Sequence, residues 1–557
     1  MKIKIPVMLA IFGSGFISSV SAQLGDPADR GGRAFLGTKI FGETDWKITV
    51  SKNVGDLDGD GCDDIMVGTN RSLPDGHVDI YSGQTMTVMR SHVGLSAGND
   101  FARAYGPLGD WNGDGINEYF ISAPGTDGFL SKVVDDDVGV LTIYDGATGV
   151  LMRMIGGDSV GGFFGANAFG ETDLNGDGIT DLVVMSENTS EVGPSTEVSI
   201  YSGADWSSFT WAPYFVQPMS PIGTYLNTVF DVDGDGLDEI VIHWGDRHRF
   251  MSSATGSILW TPPYVSKAYA RTGDMTGDGI DDFLVGDKNS GGSFSDGNVR
   301  AHSGADRSLV HFLFGLGYLG EMLGASVSGV GDVDGDGYVD FAAGAPSYAL
   351  GSYYDHGMAK LYSGQSGVEL YTYHSYPQAE MFGYQMSSAD INGDGRKEIL
   401  VGAQETNHFD GVNNYIDAGM ITPLGFDPLM SASAHEFSSA AGVTITFEHD
   451  LPGSHTNFIL LASQTGTSPV TLQAGIPVPL VYDTATTLMY YSPPAWFTNS
   501  QGTTDAVGMA TTILTLAANA AVNLVGTDIW FSALAYGGSE GAGIHWASCV
   551  QKISVLP

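Results

Sequence analysis

The sequence predicts an all-β fold, in which a seven-bladed β-propeller is followed by a small antiparallel β-sandwich. Three observations support this prediction. Glycine is abundant, with 78 among 557 residues, while charged residues make up only 16%. Short β-branched runs alternate with Gly, Asp and Asn, which is typical of strands joined by tight turns. One nine-residue motif also recurs seven times, as expected when one supersecondary unit is repeated.

The repeated motif is D-x-[DNT]-G-D-G-x-x-[DE]. Its copies begin at Asp56, Asp110, Asp173, Asp231, Asp274, Asp332 and Asp390, in steps of 54, 63, 58, 43, 58 and 58 residues. A four-stranded propeller blade with its loops takes about 40 to 50 residues. Each step therefore fits one blade with loops of variable length, and seven copies predict seven blades.

The chemistry of the motif predicts calcium. Ca²⁺ takes about six to eight oxygen ligands, and positions one, three, five and nine carry an oxygen side chain in every copy. Position seven would offer its backbone carbonyl, and the glycines at positions four and six let the backbone curl around an ion. We therefore expect up to seven calcium ions. The candidate ligand residues are Asp56, Asp58, Asp60, Cys62 and Asp64; Asp110, Asn112, Asp114, Ile116 and Glu118; Asp173, Asn175, Asp177, Ile179 and Asp181; Asp231, Asp233, Asp235, Leu237 and Glu239; Asp274, Thr276, Asp278, Ile280 and Asp282; Asp332, Asp334, Asp336, Tyr338 and Asp340; Asp390, Asn392, Asp394, Arg396 and Glu398.

Two alternatives to this kind of calcium loop are an EF-hand and a turn without metal. An EF-hand loop has twelve residues and closes with a Glu, whereas the twelfth residue is apolar in every copy, as expected for a strand entering a sheet. These residues are Val67, Ile121, Val184, Ile242, Val285, Ala343 and Val401. Plain Gly- and Asp-rich turns without metal are the other alternative, and seven copies with the same oxygen pattern favour the metal. The fifth copy is the weakest, because Thr276 replaces a carboxylate or amide.

Segments around the loops also repeat. A Tyr-Ser-Gly-like turn closes Val78–Gly83, Leu141–Gly146, Val198–Gly203, Val299–Gly304 and Ala359–Gly364. The sixth unit carries Leu323-Gly324 before its loop and Gly344-Ala345-Pro346 after it, while Phe164-Gly165, Phe382-Gly383 and Ala123-Pro124 carry parts of the same pattern. Over roughly residues 30 to 425 the units resemble FG-GAP repeats of the integrin α-chain propeller. The resemblance implies a propeller with calcium-bound loops.

The chain also departs from that family. Units four and five lack both the FG and the GAP elements, so we expect their sheets to be irregular. The sequence contains no RGD and no inserted metal-dependent adhesion domain. The resemblance therefore implies fold and calcium rather than integrin signalling.

The N-terminal residues 1–22 predict a signal peptide. Lys2 and Lys4 precede the apolar stretch Ile5 to Ile17, and Val20-Ser21-Ala22 offers a small-residue cleavage site. An uncleaved membrane anchor is the alternative, although the stretch is short for a span. We expect a secreted or cell-surface protein, extracellular or periplasmic, whose mature chain has no membrane span.

The mature chain divides into residues 23–427, the propeller, and residues 428–557, the sandwich. Within the first part, Arg33 to Ile40 form a short apolar run before the first unit, and the seventh unit lacks a fourth strand. We predict that this run completes the seventh blade, because an open propeller leaves sheet edges unpaired. A separate N-terminal strand packed elsewhere is the alternative.

The second part loses the Asp-Gly loops and gains Thr, Ala and Leu. Strand-like runs recur, as a compact antiparallel sandwich requires. The part resembles sandwich modules appended to secreted bacterial repeat proteins. The runs are Val443–Glu448, Asn457–Ala462, Val470–Leu472, Val478–Tyr482, Thr487–Tyr491, Ala510–Leu516, Asp528–Tyr536 and Ile553–Leu556.

Charge and cysteine content restrict the partners and the means of stabilisation. The formal net charge of −41 opposes binding to nucleic acid or to an anionic membrane surface. Only Cys62 and Cys549 are present, and they fall in different predicted domains, so a disulfide framework is not expected. Calcium would then stabilise the fold in place of disulfides.

No catalytic set can be assigned from the sequence. Gly157-Asp158-Ser159-Val160-Gly161 matches G-x-S-x-G but lies in a Gly-rich connection instead of a strand-to-helix turn. His435-Glu436 lacks the second His of a zinc-protease helix. Whether the chain is an enzyme stays open, and no catalytic or organic-cofactor residue is predicted.

Two connections opposite the calcium loops are rich in aromatic and polar groups. Such surfaces suit carbohydrate or protein ligands. The alternative is that these are ordinary surface loops without a ligand. We expect a monomeric extracellular protein that acts in adhesion or ligand binding, with a polysaccharide-active enzyme or a structural surface component as alternatives. The residues are Tyr348, Tyr353, Tyr354, Asp355 and His356, then His408, Phe409, Asp410, Asn413, Asn414 and Tyr415.

Overall fold

The structure is a computed structural model, and the predicted signal segment 1–22 lies outside the residues that it describes. These residues are 32–36, 40–41, 50–68, 76–94, 98–127, 137–188, 195–209, 226–229, 231, 235–244, 247–264, 266, 268–290, 296–315, 320–334, 337–348, 356–374, 381–393, 395–404, 408–409, 414–415, 419–428, 430–432, 436–438, 443–450, 457–463, 471–473, 476–478, 496–499, 501–503, 509–517, 525, 528–536, 544–547 and 551–556.

Over these residues the chain forms β-strands and no helix, which confirms the predicted all-β class. Two short strands come first, β1 (Gly32–Leu36) and β2 (Ile40–Phe41). Six sheets of four antiparallel strands follow, each a meander in which consecutive strands pair.

The strands of these six sheets are, sheet by sheet, β3 (Val50–Gly55), β4 (Asp64–Gly68), β5 (His77–Tyr81) and β6 (Val88–Val93); β7 (Tyr105–Pro107), β8 (Tyr119–Ala123), β9 (Val140–Tyr144) and β10 (Leu151–Gly156); β11 (Asn167–Thr172), β12 (Asp181–Asn188), β13 (Ser195–Tyr201) and β14 (Ser208–Phe209); β15 (Leu226–Val229), β16 (Glu239–Trp244), β17 (Arg247–Met251) and β18 (Ile258–Trp260); β19 (Ala268–Gly273), β20 (Asp282–Asp287), β21 (Asn298–His302) and β22 (Leu309–Phe314); β23 (Ser326–Gly331), β24 (Asp340–Ala345), β25 (Met358–Tyr362) and β26 (Glu369–His374).

The fourth and fifth sheets have the same four-stranded order as the others. The expectation that they are irregular is therefore wrong. Both still carry the alternating apolar strands that a meander needs, and buried residues such as Ile240 and Phe283 hold these strands in the core. The FG and GAP elements are thus dispensable for the pairing itself.

A seventh sheet combines the two ends of this region. Its strands β27 (Phe382–Ala389), β28 (Glu398–Ala403) and β31 (Met420–Pro428) are joined by β1, in the order β27-β28-β31-β1. A separate hairpin of β29 (His408–Phe409) and β30 (Asn414–Tyr415) lies between β28 and β31 in the chain. Gly32 pairs with Pro428, Leu36 with Leu424, and β2 also pairs with β31. The prediction that the N-terminal run completes this sheet is confirmed.

The hydrophobic core lies between neighbouring sheets. Each of seven buried clusters combines apolar side chains from two adjacent sheets. The cluster between the seventh and first sheets, for example, contains Leu400 and Ile421 from one and Ile65 and Val67 from the other. Each sheet is covered on both faces, and its second strand is the most deeply buried: β20, β24 and β28 are buried at every residue.

The first strands of the seven sheets contact one another in a closed cycle. The contacts run from β3 to β7, β11, β15, β19, β23 and β27, and back to β3. This is the order in which blades neighbour each other in a propeller. The all-β architecture is therefore consistent with a propeller of FG-GAP type.

Two further sheets follow β31, which ends at Pro428. One has the order β32-β34-β40-β38, and the other β33-β43-β41-β35-β39 with β42 beside β41. Strands β36 and β37 form a separate pair. The strands are β32 (Met430–Ala432), β33 (Glu436–Ser438), β34 (Val443–Asp450), β35 (Asn457–Ser463), β36 (Thr471–Gln473), β37 (Ile476–Val478), β38 (Phe497–Thr498), β39 (Gln501–Thr503), β40 (Met509–Leu516), β41 (Asp528–Tyr536), β42 (Ile544–Ala547) and β43 (Gln551–Leu556).

The two sheets meet through aromatic side chains. The ring centroids of Phe447 on β34 and Phe531 on β41 lie 4.9 Å apart. One pair departs from the predicted antiparallel arrangement, since β33 runs parallel to β43. Seven of the eight predicted runs overlap strands, and the run Thr487–Tyr491 lies outside the described residues.

Within the described part of the chain, no helix has the length and apolar character needed to cross a membrane.

Candidate metal centres in the acidic loops

Each copy of the nine-residue motif forms the connection between the first and second strands of one sheet. The first copy, for example, leaves β3 at Gly55 and enters β4 at Asp64. The twelfth residue of each copy is buried within the second strand, as in Val67, Ile121 and Val184. This placement confirms that an EF-hand cannot form, because a buried strand residue takes the place of the closing Glu.

The first carboxylate of each motif holds the loop in its curled shape. Asp56 accepts hydrogen bonds from the backbone N–H groups of Gly59 at 2.7 Å and Gly61 at 2.9 Å. The bond from position six recurs in all seven loops, at 2.7–2.9 Å. Gly61 has φ +90°, a conformation that favours glycine. The conserved shape of the loops thus follows from their Asp and Gly residues.

The carboxylate at position nine is the most buried part of each loop. Asp64 accepts hydrogen bonds from the N–H of Leu57 at 2.8 Å and from the N–H of Gly83 at 3.0 Å. Gly83 belongs to the Tyr-Ser-Gly-like turn between the third and fourth strands, so this turn clasps the carboxylate from the other side. The seven position-nine residues are at most 3% exposed: Asp64, Glu118, Asp181, Glu239, Asp282, Asp340 and Glu398.

Burial shifts the protonation of these carboxylates. It raises the pKa of Asp64 to about 6, and the nearby Asp58 and Asp60 raise it further while backbone N–H groups lower it. Burial likewise raises the pKa of Asp181 to about 6, and raises the pKa of Glu118 and of Asp282. Keeping these buried carboxylates ionised therefore costs free energy, and a bound cation would offset that cost.

Among the described residues, four loops bring three carboxylates close together, with oxygen atoms within 4.8 Å of one another. Such a spacing allows one cation to contact all three groups. Every member but one is a predicted ligand residue. The groups are Asp56, Asp58 and Asp64; Asp114, Glu118 and Asp145; Asp231, Asp235 and Glu239; and Asp332, Asp334 and Asp340.

Three loops have Asn at position three, and its amide group faces the buried carboxylate. The Nδ2 of Asn112 donates to Glu118 at 2.9 Å, and that of Asn175 to Asp181 at 3.2 Å. In the seventh loop the Nδ2 of Asn392 donates to Glu398 at 2.8 Å. The positive end of the amide thus lies where the carboxylates converge.

The fifth loop has Thr276 at position three. The backbone N–H of Thr276 donates to Asp282 at 3.0 Å, and the Thr276 hydroxyl is 3.4 Å from Asp274. A hydroxyl supplies one neutral oxygen in place of a carboxylate or amide oxygen. Asp274 still holds Gly277 and Gly279, so the shape of this loop is the same as that of the others.

Positions five and seven are linked within the first five loops. The carboxylate of Asp60 accepts a hydrogen bond from the N–H of Cys62 at 2.9 Å, and the same bond occurs at 2.9 Å in the second to fifth loops. The N–H at position seven is thus taken by a side chain. Cys62 itself is a free, buried thiol, whereas Cys549 lies outside the described residues. Also outside them are the predicted ligands Asp233, Asp336 and Asp394.

Asp145 is a member of the second group that the motif does not contain. Its Oδ2 accepts a hydrogen bond from the amide of Asn112 at 3.1 Å. Hydrogen bonds from Thr148 lower the pKa of Asp145 and keep it ionised. Asp145 occupies the position that Ser82 and Ser202 take in the Tyr-Ser-Gly-like turns of the first and third sheets. An acidic residue at this position is the feature of the sequence that could have indicated a further member of the group.

The predicted ligand-binding connections are described in part. His356 is 2% exposed, so its inclusion in an exposed binding surface is wrong: the chain returns into β25 here and buries the ring. Tyr348 is half-buried, and His408–Phe409 and Asn414–Tyr415 form the β29–β30 hairpin. The other members of this surface, and His435, lie outside the described residues: Tyr353, Tyr354, Asp355, Asp410 and Asn413.

The G-x-S-x-G copy has no catalytic partner that the described residues reveal at hydrogen-bond distance. Ser159 donates from its hydroxyl to Asp158 at 3.0 Å, and Asp158 is exposed. A nucleophile of this type needs a base that accepts its proton and is oriented by a third group. The arrangement thus gives no support to the nucleophile-elbow interpretation.

Comparisons with known proteins agree with the repeat pattern. A family model described as the FG-GAP repeat matches residues 323–357, which contain β23, the sixth loop and β24. The chain is also 38% identical over 209 residues to integrin alpha-V of Gallus gallus, a match that covers 34% of this chain and 19% of that protein. The chain thus spans about a fifth of that relative's length. Residues 323–357 thus match an FG-GAP repeat, and the chain is similar to an integrin alpha chain over part of its sequence.

Proposed function

We propose that this protein is a secreted, calcium-binding FG-GAP propeller that acts in extracellular adhesion or ligand binding. In this proposal residues 23–427 form seven blades, residues 428–557 form a sandwich, and residues 1–22 direct export. The acidic loops between the first and second strands of each blade hold calcium. The propeller serves as a rigid platform for an extracellular protein or glycan.

One observation carries the calcium assignment. The seven loops share a hydrogen-bonded shape that places a fully buried carboxylate beside other oxygen side chains. In the part of the chain that the structure describes, four of them hold three carboxylates with oxygens within 4.8 Å of one another. Calcium, a hard cation, prefers an oxygen-only set of this kind.

The electrostatics of the loops agree with this donor set. Burial raises the pKa of Asp64 and Asp181 to about 6, so ionising these groups costs free energy in the absence of a cation. A divalent ion at the same place would stabilise the ionised form. In the loops with Asn at position three, the amide would turn its oxygen toward the ion and release the buried carboxylate.

The extracellular assignment rests on the resemblance to an integrin alpha chain together with the sequence of residues 1–22. The charge of −41 fits a soluble surface that does not bind nucleic acid. Sites of extracellular modules bind calcium with dissociation constants on the order of 10⁻⁴ to 10⁻³ M, which suits a compartment rich in calcium.

Thermal unfolding with and without a chelator tests the calcium assignment. We expect the unfolding temperature to fall when calcium is removed and to recover when calcium, but not sodium, is restored. An unchanged unfolding temperature would contradict the assignment. Magnesium is a useful second cation, because it demands a smaller octahedral site and gives up its waters reluctantly.

A second experiment tests the binding function. The calcium-loaded protein is applied to a glycan array and to extracts of surface proteins, and each hit is repeated with chelator. We expect saturable binding that the chelator abolishes. Cleavage of a polysaccharide by the same preparation would instead favour an enzyme on this platform.

A further inference from the structure

The first and seventh acidic loops contact each other at the junction of the first and seventh sheets. The backbone N–H of Asp63 donates to the carbonyl oxygen of Asp390 at 2.8 Å. The backbone N–H of Asp390 donates in turn to Oδ2 of Asp63 at 3.0 Å. Asp390 is the first residue of the seventh loop, and Asp63 is the eighth residue of the first. The two bonds are reciprocal, so a movement of one loop displaces the other.

The side chain of Asp63 is held in place from its own sheet. The Nδ2 of Asn53 on β3 donates to Oδ2 of Asp63 at 2.6 Å. Oδ1 of Asn53 accepts a hydrogen bond from the N–H of Gly55 at 2.8 Å, just before the first loop begins. One carboxylate oxygen thus joins the start of the first loop, its end and the start of the seventh.

The two loops are also packed tightly. A Cβ atom on Gly393 of the seventh loop would lie 2.9 Å from the carbonyl oxygen of Gly61 and 3.3 Å from Sγ of Cys62. There is therefore no free space between the loops at this point. A change in the curl of either loop must be transmitted across the contact, because packed groups shift together.

Other junctions show parts of the same arrangement. At the junction of the fifth and sixth loops, the N–H of Val339 donates to the carbonyl oxygen of Asp274 at 3.2 Å. Val339 is the eighth residue of its loop, but it has no side-chain acceptor for a returning bond. At the junction of the second and third loops, Oγ1 of Thr180 accepts a bond from the N–H of Gly109 at 2.8 Å. Asp63 makes both kinds of bond: its backbone N–H donates to the neighbouring loop, and its side chain accepts a bond from that loop.

We propose that Asp63 is a positioning residue that couples the first and seventh loops, so that calcium held by one loop raises the calcium affinity of the other. This inference rests on the proposed calcium function. An ion in the first loop fixes Asp64 and hence the neighbouring Asp63, which then holds Asp390 in the position that the seventh loop needs. The coupling is reciprocal, as linkage requires.

Cys62 provides a local probe of this coupling. Its thiol is buried in the first loop and lies against Gly393 of the seventh. The full mature protein is titrated with calcium and pulsed with iodoacetamide, and alkylation is read at the peptide that contains Cys62, which separates it from Cys549. Four variants are compared: Asn392→Ala in the seventh loop, Asp63→Ala, both together, and Asp158→Ala as a charge-matched control on an exposed connection.

We expect Asn392→Ala to raise the calcium midpoint of Cys62 protection about fivefold in the otherwise native protein. In the Asp63→Ala background the midpoint is already raised, and Asn392→Ala adds no shift. Asp158→Ala leaves the midpoint unchanged. The same shift in both backgrounds, or no shift in the native background, would overturn the coupling.

Two controls separate the possible failures. If Asp63→Ala does not fold, as judged by circular dichroism, Asp63→Asn replaces it, since the amide keeps one acceptor oxygen and should reduce the coupling in part. Native mass spectrometry of the unaltered protein counts bound calcium. If no calcium binds, the proposed function and the coupling both fail, whereas bound calcium without a cross-loop shift overturns the coupling alone.

Discussion

The backbone N–H of Gly61 donates to Oδ2 of Asp56 at 2.9 Å, and the equivalent bond closes all seven acidic loops. Gly61 adopts φ +90° to reach this oxygen. An L side chain in the left-handed region costs roughly 1–2 kcal/mol. The Asp56–Gly61 pair therefore links the composition of the chain, rich in Gly and Asp, to the geometry of the candidate metal centres.

The first prediction concerns Gly61→Ala. We expect it to lower the free energy of unfolding by about 1–2 kcal/mol, and to weaken calcium binding at the first loop, because the new Cβ strains a turn that the ion needs. No atom lies within 4 Å of the added Cβ, so the effect comes from the backbone and not from a clash. Thermal unfolding in calcium measures it.

Gly106→Ala is the matched control. Gly106 lies on β7, and its added Cβ would make only ordinary contact, at 3.5 Å from the ring of Phe120. Equal losses of stability in the two variants would contradict the role assigned to the conformation of Gly61.

The second prediction concerns pH and Asp64. The pKa of Asp64 is about 6 in the folded protein and 3.8 for the unperturbed group. In chelator the folded state therefore keeps a proton that the unfolded state loses, so this group's stabilising contribution is complete below about pH 4 and is lost as pH rises through 6. Calcium needs the ionised group, so the calcium-dependent gain in stability should increase over the same range.

Asp64→Asn isolates this contribution from other titrating groups. In chelator, we expect the stability of the native protein relative to the variant to decrease from pH 4 to pH 7. In calcium at pH 7.5 we expect the native protein to be more stable than the variant, because the variant has lost a charged ligand. Parallel pH profiles of the two proteins would show that Asp64 does not titrate as described.

The third prediction concerns Asp145. Replacing it by Ser, the residue at this position in the first and third sheets, should weaken calcium binding by the second loop, because one carboxylate is lost from the group with Asp114 and Glu118. The reciprocal change Ser202→Asp should strengthen the third loop. Calcium titrations followed by native mass spectrometry compare both variants, and unchanged affinities in both would remove Asp145 from the site.

The fourth prediction concerns the weakest loop. Thr276→Asp adds a carboxylate beside Asp274 and Asp282. We expect tighter calcium binding at the fifth loop and, in chelator, a loss of stability of about 1 kcal/mol from the added repulsion between neighbouring carboxylates. The substitution should therefore raise the unfolding temperature in calcium and lower it in chelator. Thermal unfolding in the two conditions measures both changes. A change of the same sign in both conditions would indicate a purely structural effect.

The fifth prediction concerns the pairing of β1 with β31. A chain that begins at residue 37 lacks β1 and leaves the edge of the seventh sheet unpaired. We expect a lower unfolding temperature and faster hydrogen exchange at Met420–Pro428 than in a chain that begins at residue 32. Equal exchange in the two chains would show that β1 does not complete this sheet in solution.

Much of this architecture could be predicted from the sequence because its determinants are local. The nine residues from Asp56 to Asp64 contain the carboxylates, the glycines and the strand entry that define a loop. Seven such copies predict seven sheets, and the open edge of the last sheet predicts a role for the N-terminal run. The lack of FG and GAP elements in units four and five suggested irregular sheets. This expectation was wrong, because strand pairing there depends on apolar alternation.

The remaining features depend on contacts between distant residues. Asp63 and Asp390 are far apart in sequence, and no local pattern indicates that their loops touch. Asp145 joins the second loop from the turn between the third and fourth strands, outside the motif. The parallel pairing of β33 with β43 also joins distant segments, for which a periodic pattern gives no direction.

The most direct test of the central claim is a count of the calcium ions bound by the mature protein, by native mass spectrometry over a millimolar calcium titration. We expect up to seven ions, with the fifth loop filling last, and an unfolding temperature that rises with occupancy. Each site should add about 2.7 kcal/mol at a hundredfold excess of calcium over its dissociation constant. A protein that binds no calcium and unfolds at the same temperature in chelator would contradict it.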